Sequence, residues 1–101
     1  MIAWLLKEYM SQKNLNLNEI TLKLGFHQKI VWNWLNLKHC PNKFSAQCIL
    51  DLFIKEKNQS EVDQYKIYFW NIWNIDKLNF DSRLRKKHNK LNYNELLTPN
   101  A

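Results

Sequence analysis

Three observations predict an all-α fold for this 101-residue chain. Apolar residues recur three and four positions apart in five successive segments, which is the spacing of one face of a helix. Asn16 with Glu19, and Ser60 with Asp63, have the polar residue and the following carboxylate three positions apart, as in a capping box that opens a helix. The only glycine, Gly25, follows one apolar stripe and precedes the next, where a left-handed residue lacking a Cβ ends a helix at least cost. A chain of this length forms one domain with a modest core of three to five helices, and it needs no disulfide framework.

Each element follows from its own residues. Ile2, Leu5, Leu6 and Met10 line one face of a first helix from 2 to 13, with Lys7, Glu8 and Lys13 off that stripe. Asn14-Leu15-Asn16 ends it. The Asn16 box opens a second helix in which Ile20 and Leu24 face inward, and Gly25 stops it. After Phe26-His27, residues 28–35 form a short third helix with Val31, Trp34 and Leu35 on its inner face. Residues 38–44 read as a polar loop containing Pro41, with Ser45 as the N-cap of a fourth helix whose buried stripe is Cys48, Ile49, Leu52 and Phe53. Lys55 to Asn58 closes that helix with charge. The Ser60 box opens a fifth helix with Val62, Tyr65, Phe69, Ile72 and Trp73 inward, while Tyr68 and Trp70 add more aromatic surface than one core face requires. From Asp81 the chain turns basic, from Arg83 to Lys90, and then runs into an asparagine-rich tail expected to fray at Thr98-Pro99-Asn100-Ala101.

Composition narrows the function classes. The net charge is +6 with a pI near 9.4, the profile of a protein that meets a polyanion, since every phosphate contact releases counterions. Cys40 and Cys48, with seven residues between them, lack the close pairing of a redox or zinc site, so they are read as reduced and partly buried. The apolar start Met1 to Leu6 is ended by Lys7 and Glu8, so no secretory leader is expected, and no stretch reaches the roughly 18 apolar residues of a membrane span. A cytoplasmic protein without membrane contact is the expectation. His27, His39, Cys40 and Cys48 match no zinc spacing, so no metal is expected. A single glycine leaves no phosphate-cradling glycine loop, and no nucleophile, acid–base pair or cofactor motif is apparent. The chain is not read as an enzyme.

The most informative segment runs from Ile20 through Lys23, Leu24-Gly25-Phe26, Gln28, Lys29, Val31, Trp32, Asn33 and Trp34 to Asn36, followed by Pro41. A tight glycine turn locked by apolar residues on both sides lets two short helices hold a fixed crossing angle. With Val31, Trp34 and Leu35 turned inward, Lys29, Trp32, Asn33 and Asn36 share the opposite face of the third helix. From about residue 4 to 57 this pattern resembles the helix-turn-helix of the lambda-repressor-like (Xre/Cro-type) family. The likeness divides the chain into a helix-turn-helix core over 1–57 and a helical extension with a basic tail over 58–101, within one domain.

What the resemblance implies is a sequence-specific DNA-binding transcriptional regulator, with double-stranded DNA as its partner. Base contacts map onto Gln28, Lys29, Trp32 and Asn33, because glutamine pairs with adenine and lysine donates to guanine. Phosphate contacts map onto Asn36, with Lys23, Lys38 and Lys43 added by their charge. Leu17 stands where the family often carries a phosphate-holding glutamine. Thr21 replaces a small alanine at the helix crossing, and Leu37 replaces a glycine, leaving Asn36 to take the left-handed conformation. The aromatic surplus of Tyr65, Phe69, Trp70 and Trp73 is read as a homodimer contact, and a dimer reads half-sites about 34 Å apart on a near-palindromic operator. The Arg83 to Lys90 run is a further phosphate-binding candidate. Two other readings stand beside this one: an autoregulatory antitoxin that binds its promoter and a toxin, and a phage-type inhibitor that uses the same surface on a protein, favoured by Leu17 and Trp32.

Overall fold

Five helices form in the expected order: α1 Ile2–Lys13, α2 Leu17–Leu24, α3 Gln28–Leu35, α4 Lys43–Ile54 and α5 Gln59–Asn89. The computed structural model describes residues 1–89, with side chains through Ser82. The fold is all-α, and no strand occurs among the described residues. α3 packs on α1 and α2, α2 also touches α4, and α5 lies against α1 and α4.

One buried cluster joins all five helices. Ile2, Leu5 and Leu6 meet Ile20, Val31, Trp34 and Leu35 on one side and Ile49, Leu50, Phe53, Phe69 and Trp73 on the other. Its α5 side is a relay of rings: Tyr9 packs on Phe53, Phe53 on Phe69, Phe69 edge-on to Trp70, and Trp70 edge-on to Trp73, with centroids 5.2 to 6.1 Å apart. Edge-to-face rings add to the area they bury because a positive ring edge meets a negative face.

Two long-range hydrogen bonds anchor α5. Asp76, only 7% exposed, accepts the Ile2 N–H at 2.7 Å. A carboxylate there satisfies one of the unpaired donors that open α1 and sits at the positive end of its dipole. The Trp73 indole Nε1 donates to the Pro41 carbonyl at 2.8 Å, holding the segment between α3 and α4. At the opposite end of the bundle, Lys13 and Glu56 form an exposed ion pair between the ends of α1 and α4.

The structure revises several local expectations. Asn42, not Ser45, caps α4: its Oδ1 accepts the Ser45 N–H at 2.8 Å, and Ser45 is buried in the first turn. With Pro41 held by Trp73, the helix starts directly after it, and Lys43 and Phe44 belong to α4 instead of the loop. Ser60 is likewise not a cap, because α5 has already begun at Gln59 and the Glu61 N–H donates to the Asn58 carbonyl at 2.9 Å. Phe69 and Trp73, expected at a dimer contact, are core residues, at 0% and 8% exposed, while Tyr65 and Trp70 are half-buried against the same core. α5 continues through Asn89, so the basic segment 83–89 has helical backbone. Lys90 and the asparagine-rich tail lie outside the described residues.

Both cysteines are free and half-buried. Burial first, and then the nearby Asp76 carboxylate, push the Cys40 thiol up to about 11. At pH 8 its alkylation by iodoacetamide, followed by mass spectrometry, is therefore expected to be on the order of 100-fold slower than that of an unstructured cysteine peptide, because only the thiolate reacts. Replacing Asp76 by alanine strands the Ile2 N–H, and urea unfolding should show a loss of about 1–3 kcal/mol.

Candidate nucleic-acid interface

The site begins with the backbone between α2 and α3. The Asn16 capping box is present in both directions: the Glu19 N–H donates to Asn16 Oδ1 at 2.9 Å, and the Asn16 N–H to Glu19 Oε1 at 3.0 Å. α2 ends at Gly25, which sits at φ 78°, with its N–H on the Thr21 carbonyl at 2.8 Å. Phe26 then turns back onto Trp34, ring centroids 5.2 Å apart and edge-on. His27 caps α3 through Nδ1, which accepts the Lys29 N–H at 3.1 Å. A neutral ring with a free Nδ1 lone pair is required for that bond. The turn is thus fixed by one left-handed glycine, one ring contact and one side-chain cap.

The far end of α3 departs from expectation. Asn36 is not left-handed, at φ −102°; Leu37 takes that conformation, at φ 58°. The Lys38 N–H reaches back to the Asn33 carbonyl at 2.8 Å and the Leu37 N–H to the Trp34 carbonyl at 3.3 Å, the paired bonds of a Schellman motif. The motif needs its left-handed residue one position beyond Asn36, whose amide Nδ2 instead donates to the Trp32 carbonyl at 2.9 Å. A Cβ at such a φ costs roughly 1–2 kcal/mol.

Outward from this frame, Gln28, Lys29 and Trp32 are exposed and Asn33 is half-buried. Lys29 Nζ lies 5.0 Å from the centre of the Trp32 ring, a cation–π contact that places charge and ring side by side. Lys23, Asn36, Lys38 and Lys43 are exposed around α3. Between residues 17 and 44 the only carboxylate is Glu19, and it is engaged in the cap. This part of the surface is therefore basic, whereas a groove between α1, α4 and α5 holds Glu8, Glu56 and Glu61 together with Lys13 and Lys57.

No protein-family model, curated protein or solved structure matches this chain. What α3 can bind therefore follows from its own side chains. Gln28 and Lys29 supply a two-way amide and a cation, and Leu17, His27 and Trp32 complete a shallow concavity of about 320 Å³ with them. Leu17 makes one wall of that concavity apolar, which a thymine methyl or an apolar side chain fits and a phosphate does not. His27 was not among the expected site residues; its place directly before the third helix, where N-caps stand, was the available signal. Inside the α2–α3 crossing, the Thr21 hydroxyl is buried without a hydrogen-bond partner. Side chains of the 83–90 basic run, the further phosphate-binding candidate, lie outside the described residues.

The two left-handed positions give opposite expectations. A Cβ added at Gly25 meets nothing within 4 Å, so Gly25→Ala isolates the backbone cost and should destabilise by about 1–2 kcal/mol in urea. Leu37→Gly relieves the same conformation and should stabilise the chain by up to about 1 kcal/mol, provided the exposed Leu37 side chain adds little packing.

Proposed function

We propose that this chain is a helix-turn-helix DNA-binding regulator that inserts α3 into the major groove. The observation that carries the reading is the outward face of α3: Gln28, Lys29 and Trp32 project from a helix held at both ends, with exposed lysines on either side. An α-helix with its side chains is about 10–12 Å across, which the roughly 12 Å wide major groove admits, and α3 is a short one of eight residues. Gln28 and Lys29 read base edges, Trp32 contacts a thymine methyl, and Asn33 supports them from its half-buried position. Lys23, Asn36, Lys38 and Lys43 bind phosphates and set orientation without reading sequence. Such a protein acts by binding alone and requires no cofactor.

A second reading, in which the same surface grips a protein, is favoured by the apolar wall that Leu17 and Trp32 give the concavity. It covers both an antitoxin, which would use DNA as well, and an inhibitor that would not.

Selection from random-sequence duplex DNA at low salt and micromolar protein should yield a preferred site. Gln28→Ala and Lys29→Ala should each relax preference at one base pair by about 1–3 kcal/mol, while Lys38→Ala should weaken all sequences and lower the salt slope by about one. If no sequence is enriched and Trp32→Ala abolishes a protein complex, the DNA reading is replaced by the second.

A further inference from the structure

α5 is 31 residues long, about 46 Å at 1.5 Å per residue. Its buried stripe, Val62, Phe69, Trp73 and Asp76, occupies only one side. Away from that side lie Gln64, Tyr68, Asn71, Ile75, Leu78 and Ser82, spaced alternately four and three apart. This is the repeat by which one helix packs along another in a coiled coil. The face is mostly open: Gln64 and Asn71 are exposed, Ile75 and Leu78 are 58% and 63% exposed, Tyr68 is 48% exposed with its ring against Tyr65, and Ser82 is half-buried.

Charge is distributed unevenly along the same helix. Glu61 and Asp63 lie near its start, ahead of Lys66, and after Asp81 the sequence of its last turns carries Arg83, Arg85, Lys86 and Lys87. Two such helices side by side in parallel would set carboxylate against carboxylate and cation against cation. Running in opposite directions, each acidic start meets a basic end, and the Coulomb term changes sign at both ends.

We propose that a second copy of this chain occupies this face, with the two α5 helices packed antiparallel. By helical register alone, an arrangement centred on residue 73 sets Tyr68 opposite Leu78 of the second copy, Asn71 opposite Ile75, Gln64 opposite Ser82 and Glu61 opposite Arg85. Each pairing occurs twice by two-fold symmetry. A polar residue within the repeat, here Asn71, lowers stability but fixes register. Glu61, Gln64 and Tyr68 also line a shallow concavity with Lys57 and Tyr65 at the start of this face. Lys29 and Trp32 take no part, so this dimer stands or falls independently of DNA binding.

Sedimentation equilibrium of the full chain from roughly 1 to roughly 100 µM tests it. A reversible dimer is expected. Glu61→Lys and Arg85→Glu should each raise the dissociation constant about five- to tenfold, since each exposed pair is modest but occurs twice and is reversed in sign. The double variant should restore the original value. In a parallel dimer each residue faces its own copy, like charges face in every variant, and the single reversals would leave the dissociation constant unchanged. Leu78→Asp, at an exposed position, should leave the far-ultraviolet circular dichroism unchanged and remove the dimer. A monomer at every concentration, a dimer indifferent to the single reversals, or a double variant as weak as either single one overturns the proposal.

Discussion

One turn of α5, from Trp73 to Asp76, ties together three parts of the chain that are remote in sequence. Asp76 accepts the N–H that opens α1, and Trp73 donates to the carbonyl just before α4. Both bonds are buried, where an unmade hydrogen bond costs the full desolvation of the group left behind. The two residues also enclose the apolar core, Trp73 through its ring and Asp76 by ending the buried stripe. Without that turn, α1 would begin with an unsatisfied donor and the segment leading into α4 would lose its anchor.

The consequence reaches the α2–α3 pair through α1. α3 is clamped between α1 and α2 by Val31, Trp34 and Leu35, so the position of its outer face depends on the α1 that α5 holds. Rigidity and local cost meet there. Phe26 and His27 fix the turn, while a left-handed Leu37 and a buried, unpartnered Thr21 hydroxyl lie at the borders of the same pair. Strain of this kind persists only where the surrounding packing over-determines it. Basic residues outnumber carboxylates around α3, whereas the groove between α1, α4 and α5 mixes Glu8, Glu56 and Glu61 with Lys13 and Lys57.

Much of the helix order was legible because its signals are local. The Asn16–Glu19 box, Gly25 at its left-handed φ and the inward set Val31, Trp34 and Leu35 each depend on residues within one or two turns. The exposure of Lys29, Trp32 and Asn36 followed from the same periodicity, while Asn33, set on that face by its spacing, is half-buried. Caps with near neighbours were harder: Asn42 and Ser45 are comparable N-cap residues, and propensity alone does not choose between them. Asp76 gave no signal either, since a lone carboxylate on a long polar helix reads as solvated.

By itself, then, the sequence determined an all-α chain, the limits of α1 through α3, the turn at Gly25 and the outward side chains of α3, because helix periodicity and capping act over a few residues. Only the tertiary structure decided that Asn42 starts α4, that Leu37 and not Asn36 turns left-handed, and that Asp76 is buried while Ile75 and Leu78 remain on the surface. Those outcomes rest on contacts such as Trp73 with Pro41 and Asp76 with Ile2, separated by 32 and 74 residues, which no local pattern encodes.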